Sequence, residues 1–311
     1  MRETKNWLDE IELGAGCWQW GDALMWGYGQ GYAATEVQTA FDGSLAAGIT
    51  FFDTAEVYGM GKSEKFLGDF MRARGTGTRP LSVATKFFPL PWRLARGALT
   101  HALRKSLERL GLKQVDLYQT HWPSPPLAVE TWMEAMADAV EAGLTRSVGV
   151  SNYTVAQTKR SYETLAKRGV PLLSNQVPYS LLNRKIEKSG LTTLCRELGV
   201  KIIAYSPIEK GILTGKYTPD NPPPGLRGRR YGREYLQKVQ PVIALLRNLG
   251  QAHGGKTPAQ VALNWLICKG ALPIPGAKNA RQALDNAGAM GWRLTPSEVE
   301  TLDKASDEVM K

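Results

Sequence analysis

The sequence predicts an α/β fold, a single (β/α)8 barrel domain spanning residues 1–311, and three observations predict it. Short apolar, β-branched or aromatic runs alternate with longer stretches of helical periodicity. The alternation completes eight β-then-α units, the number that closes a parallel barrel, although alternation alone also suits a doubly wound sheet. Unusual polar residues stand at the C-terminal ends of nearly all the strands, the face on which such barrels carry their chemistry.

The first strand is expected at Leu13–Trp18, with its helix at Thr35–Ala47. Thr50–Phe52 and Lys62–Arg74 form the second unit, Leu81–Thr85 and Ala95–Leu110 the third, and Val115–Thr120 and Thr131–Ala142 the fourth. Ser147–Val150 with Thr154–Arg168, then Leu172–Asn175 with Ser189–Leu198, make the fifth and sixth. Lys201–Ala204 opens the seventh. Ala271–Ile274 opens the eighth, whose helix is Ala280–Ala287, and a C-terminal helix follows. The spacing breaks once, between strands seven and eight. The extra length holds Pro222-Pro223-Pro224-Gly225, the basic run Arg227, Arg229, Arg230 and Arg233, and an additional helix around Leu236–Leu249. A triple proline disfavours helix, so this segment reads as a long loop over the barrel mouth and not as a domain linker.

The net charge of +10 would suit nucleic acid, an anionic membrane surface or a phosphorylated small molecule, or serve solubility alone. No basic block of five or six residues and no nucleic-acid motif occurs, which favours the small molecule among possible ligands. Cys17, Cys195 and Cys268 are odd in number and far apart, which argues against a disulfide framework and for a reducing cytoplasm. Met1–Asp9 lacks the apolar core of a secretory signal, and no run reaches transmembrane length.

Asp53 ends the second strand, Lys86 the third and His121 the fourth; Ser151-Asn152, Gln176 and Tyr205-Ser206 follow the next three. Strands of a closed barrel point one way, so these side chains converge although distant in sequence. A lysine ending an apolar strand is expensive to bury unpaired, and Asp53 is its obvious partner. Tyr58, on the loop after strand two, then acquires a use. A phenol with a pKa near roughly 10 is a weak acid for carbonyl protonation at neutral pH. A cation about 4 Å away in an effective dielectric of ~20 favours phenolate by roughly 4 kcal/mol, at most about three pKa units. His121 is placed to donate to a substrate carbonyl or share the proton. The bland alternative is a structural ion pair beneath a surface tyrosine.

Gly48-Ile-Thr-Phe-Phe-Asp53-Thr-Ala-Glu-Val-Tyr58, with Ser63-Glu64 and Leu67-Gly68 after it, resembles the aldo-keto reductase signature. Strand-end Lys86 and His121 match the family's other two catalytic positions, and the resemblance runs from Gly14-Ala-Gly-Cys-Trp18 to Asn286. It implies that Tyr58 is the general acid, Lys86 lowers its pKa, Asp53 pairs with Lys86 and His121 orients the carbonyl. It also implies NADPH, held by the barrel itself. Consistent with that, Gly27-x-Gly29-x-Gly31 lacks the spacing and context of a dinucleotide fingerprint. By the resemblance, Ser151, Asn152 and Gln176 hydrogen-bond the carboxamide and Tyr205 stacks on the ring. Ser206, Ile208, Gly211 and Leu213, with Lys216 nearby, resemble the pyrophosphate segment.

After strand eight, Gly276, Lys278, Arg281, Gln282 and Asn286 lie at or in a helix start, where backbone N–H groups favour an anion. Lys278 with Arg281 is expected to hold a 2′-phosphate, and Gln282 and Asn286 match adenosine contacts; a merely solvated basic helix start is the alternative. The Arg227–Arg233 loop either clasps the pyrophosphate or solvates the rim. Trp18, Trp20, Trp92 and Trp122 are candidates for an aromatic substrate mouth suited to planar or apolar aldehydes, or for core packing. Gly276-Ala-Lys-Asn-Ala and Gly288-Ala-Met-Gly-Trp-Arg-Leu294 resemble a plant-plastid and cyanobacterial branch that includes pyridoxal reductases, which makes pyridoxal a candidate substrate. A regulatory NADPH-binding subunit, like the channel-associated members of the family, is the competing class. A metal-dependent hydrolase lacks clustered ligands, and no metal is expected. Oligomeric state is not legible.

Overall fold

In the computed structural model, residues 6–75, 80–90, 92, 93, 95–123, 127–224, 228 and 231–310 are described. Eight strands follow one another round a parallel sheet: β1 (Ala15–Gly16), β2 (Phe51–Asp53), β3 (Ser82–Phe87), β4 (Leu117–Thr120), β5 (Val148–Ser151), β6 (Leu172–Pro178), β7 (Lys201–Tyr205) and β8 (Leu272–Pro273). The ring closes where Gly14 N–H donates to Pro273 O and Gly16 N–H to Pro275 O, each at 3.0 Å. Gly16 is required there, since a Cβ would lie 2.7 Å from the Ile274 carbonyl oxygen. This seam shortens β1 to two residues, where Leu13–Trp18 was expected.

The barrel interior is apolar at its N-terminal end. Phe51, Ala84, Leu117, Leu173, Ile203, Leu272 and Ile274 form one cluster. Leu8, from a 3-10 turn at Trp7–Glu10, completes it from below. Asn6 holds that turn by accepting from Leu8 N–H and donating to Leu173 O and Gly199 O. Side chains alternate along a strand, so two residues beyond Phe51, Ala84 and Leu117 the same interior receives Asp53, Lys86 and Gln119. One pleat repeat turns the core polar.

Outside the ring, helices Ala34–Ala46, Lys62–Ala73, Gly97–Leu110, Val129–Glu141, Val155–Ala166, Leu191–Glu197, Pro258–Cys268 and Ala280–Ala287 follow β1 to β8 in turn. The additional helix is longer than expected, Arg233–Ala252, and the C-terminal helix Pro296–Val309 packs against it. Thr257 and Thr295 start their helices with reciprocal side-chain caps and a proline in the first turn, so both boundaries are fixed locally. Arg227, Arg229 and Arg230 lie outside the described residues; Arg233 pairs with Asp220 at 2.9 Å.

Candidate active site

Asp53 ends β2 inside the barrel, and its carboxylate is surrounded by donors. Lys86 Nζ pairs with Oδ1, while Gln119 Nε2 and Gln176 Nε2 donate to Oδ2 at 3.1 and 2.8 Å. Lys86 is wholly buried and also donates to Thr54 O at 2.8 Å, which makes an intramolecular cation tolerable at this depth. Gln176 further donates to Gln119 Oε1 at 3.3 Å. A carboxylate only accepts, so both glutamines must turn their amide nitrogens toward Asp53. Gln119 is a site residue that the sequence reading missed. Its signal was present: one polar residue at the inward period of an otherwise apolar strand, Leu117-Tyr118-Gln119.

Tyr58 begins a 3-10 turn, Tyr58–Gly61, that returns the chain over this layer. Its ring lies 5.1 Å from Lys86 Nζ, meets the His121 ring edge-on at 5.6 Å between centroids and stacks on Trp18 at 5.9 Å. The four expected catalytic residues therefore converge. Burial and, after it, the Asp53 charge hold the Tyr58 phenol well above its usual range. His121 is pushed down to about 3 by burial and by the Lys86 charge, so its ring is neutral at physiological pH. Its Nδ1 is buried with no hydrogen-bond partner. A neutral phenol and a neutral imidazole facing one space can donate a proton and a hydrogen bond to a carbonyl oxygen there.

That space is a cavity of about 890 Å³. Tyr58, His121, Trp18 and Trp122 line one end with Asp53 at its base; Ser151, Asn152, Gln176 and Tyr205 line the middle. Ser206, Ile208, Gly211, Lys216, Gly276, Lys278, Arg281, Gln282 and Asn286 line the other end, as expected from sequence. Lys210 and Gln19 also face the cavity and were not anticipated. Three expected residues are elsewhere. Trp20 is core, its indole donating to Ala277 O at 3.0 Å among Phe41, Phe52 and Phe70. Trp92 is 75% exposed and does not line the cavity. Leu213 is buried in the core, because the turn that carries it, Glu209–Thr214, aims Lys210, Gly211 and Thr214 at the cavity and Ile212 and Leu213 away from it.

The middle and far walls are held by backbone that is costly to form. Asn152, Ser206, Glu209 and Lys210 take positive φ of 64°, 51°, 45° and 53°, immediately after β5 and β7. Each such residue costs of order 1–3 kcal/mol unless its surroundings impose it, and such residues concentrate at binding sites. Here the surroundings are specific. Asn152 donates to His121 O at 3.0 Å and accepts from Tyr205 Oη at 2.9 Å; buried Glu209 accepts from Tyr231 Oη at 2.6 Å. At the far end Lys278 Nζ donates to Trp26 O at 2.7 Å and lies 4.2 Å from the Tyr32 ring centroid, and Gln282 Oε1 accepts from Lys278 N–H. Among the described residues no group of three or more His, Cys, Asp or Glu could hold a metal ion, and no helix is long and apolar enough to cross a membrane.

Comparison with known proteins agrees with this geometry. Residues 12–307 match the Aldo/keto reductase family. The chain is 41% identical over 314 residues to the chloroplastic pyridoxal reductase of Arabidopsis thaliana, covering 98% of this chain and 85% of that one. The fold superimposes on a glycerol dehydrogenase of Gluconobacter oxydans with a TM-score of 0.83 at 24% identity, over 96% of this chain and 93% of that one. It also matches an aldo-keto reductase of Klebsiella pneumoniae solved with NADPH, TM-score 0.72 at 26% identity, over 94% and 90% of the two chains. The chain is a member of the aldo/keto reductase family of oxidoreductases.

Proposed function

We propose that residues 1–311 act as one catalytic domain that reduces aldehydes or ketones to alcohols with NADPH, and that Tyr58 is the general acid. The observation that carries this reading is the convergence of Tyr58 and His121 above the Asp53–Lys86 pair at one end of a cavity whose other end is cationic. Tyr58 keeps its proton until a carbonyl oxygen accepts it. His121, neutral, holds that oxygen by a hydrogen bond. Lys86 and Asp53 form a polarised base beneath the phenol, and Gln119 and Gln176 fix it.

The cavity suits an extended dinucleotide. Lys210, Lys216, Lys278 and Arg281 supply cations along one end, and Gln19 Oε1 is buried without a hydrogen-bond partner. Ser151, Asn152, Gln176 and Tyr205 would hold the nicotinamide, Ser206, Ile208, Gly211 and Lys216 the pyrophosphate, and Lys278, Arg281, Gln282 and Asn286 the adenosine 2′-phosphate. NADPH, when bound, supplies the hydride. Pyridoxal is a candidate substrate, supported by the name of the Arabidopsis relative and by the Trp18 and Trp122 walls. Three free thiols suit the cytoplasm.

The test is turnover of 4-nitrobenzaldehyde and pyridoxal with NADPH. Tyr58→Phe is expected to lower kcat by about 100-fold or more with NADPH binding retained. Absence of turnover with tight NADPH binding would favour a regulatory subunit instead.

A further inference from the structure

The run Gly27-x-Gly29-x-Gly31 lacks the spacing of a dinucleotide fingerprint, yet it shapes a surface beneath one cation of the cavity wall. Gly27, Gly29 and Gly31 take positive φ of 70°, 86° and 125°, conformations that glycine adopts most readily. With them the loop after β1 doubles back on itself, Gly29 N–H donating to Tyr32 O at 2.9 Å and Gln30 N–H to Gly27 O at 3.0 Å. Tyr32 is buried and fixed twice over. Its Oη donates to Gln19 O at 2.6 Å, and its ring meets the Tyr28 ring edge-on at 5.7 Å between centroids.

Lys278 reaches this loop from the other side of the seam. Its Nζ lies 4.2 Å from the Tyr32 ring centroid and 5.7 Å from that of Trp26, and it donates to Trp26 O at 2.7 Å. Its backbone N–H is held by Gln282 Oε1 at 2.9 Å. Lys278 lines the cavity and Tyr32 does not, so the ring touches the ammonium and not what the cavity holds. A lysine is a point charge on a flexible stem, and fixing it on an anion costs rotamer entropy. An aromatic face on one side and a carbonyl on another localise the charge before any anion arrives.

We propose that Tyr32 is a positioning residue for cofactor selection: its ring holds the Lys278 ammonium where a 2′-phosphate is bound, and so sets how far NADPH is preferred over NADH. The inference rests on the NADPH reading and adds to it a residue outside the segments from which the cofactor contacts were expected.

The experiment titrates NADPH and NADH against the parent protein, Tyr32→Leu, Tyr32→Phe, Lys278→Ala and the double variant of Tyr32→Leu with Lys278→Ala, and reads the ratio of the two Kd values from nicotinamide fluorescence. Tyr32→Leu removes the aromatic face and is expected to narrow the NADPH preference about five-fold, chiefly through weaker NADPH binding. Tyr32→Phe keeps the face, loses the bond to Gln19 O, and is expected to stay within about two-fold of the parent. In the Lys278→Ala background, Tyr32→Leu is expected to leave the ratio where it stands, because the ammonium it acts through is gone. A ratio unmoved by Tyr32→Leu, an equal loss in Tyr32→Phe, or a further loss in the double variant would overturn the proposal. Should Tyr32→Leu not fold, Tyr32→Met is judged by the same outcomes. If Lys278→Ala itself leaves the ratio unchanged, the assignment of Lys278 to the 2′-phosphate fails and the role of Tyr32 falls with it. A ratio moved by Lys278→Ala but not by Tyr32→Leu overturns the role of Tyr32 alone.

Discussion

The floor of the barrel and the layer above it are built from the same strands, yet they obey opposite rules. Phe51, Ala84 and Leu117 present apolar side chains that are held by burial and packing. Asp53, Lys86 and Gln119, one pleat repeat further on, are held by directional bonds in which each group has an assigned partner. A missing methyl group below leaves a void. A missing donor above leaves a charge.

Breaking one layer at a time sharpens that difference. Lys86→Met leaves the Asp53 carboxylate buried without its cation and is expected to destabilise the fold by about 3–5 kcal/mol in urea unfolding, with activity lost as well. Leu117→Ala is expected to destabilise by about 2–5 kcal/mol through the cavity it opens, with kcat near that of the parent protein wherever the variant is folded. Loss of activity in folded Leu117→Ala would show that the two layers are not separable.

The end of the cavity lined by Lys278 provides a smaller effect. Lys278→Ala is expected to weaken NADPH binding about ten-fold, roughly 1.4 kcal/mol, with little change for NADH or in kcat. Equal affinity for the two cofactors before and after the substitution would remove Lys278 from phosphate recognition. The smallest expected effect is in pH dependence. Folded His121 stays neutral down to about 3, whereas an unfolded imidazole takes up a proton near roughly 6.5. The native state therefore loses stability as pH falls from about 6.5 toward about 3, and His121→Phe is expected to lack that component. The pH profile of kcat/KM is correspondingly expected to show no histidine limb between about pH 5 and 8.

Much of the site was legible because barrel topology converts strand order into convergence. Asp53, Lys86 and His121 announced themselves as polar residues where apolar runs stop, and Tyr58 by its fixed distance from Asp53. Trp20 was not legible, since a tryptophan two residues past Trp18 faces the core or the cavity according to a turn that only the folded chain defines. Leu213 failed for a related reason: Glu209, Lys210 and Gly211 all take positive φ, which breaks any periodicity that would assign the faces of this turn. The electrostatics of Tyr58 needed the depth of the site, because sequence does not show that the phenol is buried, and burial is what chiefly raises its pKa. Leu8 as part of the floor was invisible, because its partners come from six different strands or strand ends.

The seam between β1 and β8 gives the ring a clasp. Two-residue strands and a pair of backbone bonds close it, while β6 alone spans seven residues. Cys17 and Trp18 stand on one side of the clasp and Gly276 and Lys278 on the other, and all four face the cavity. A molecule filling the cavity would touch both sides and act as a rivet across this join. Occupancy and circumferential rigidity would then rise together at the seam.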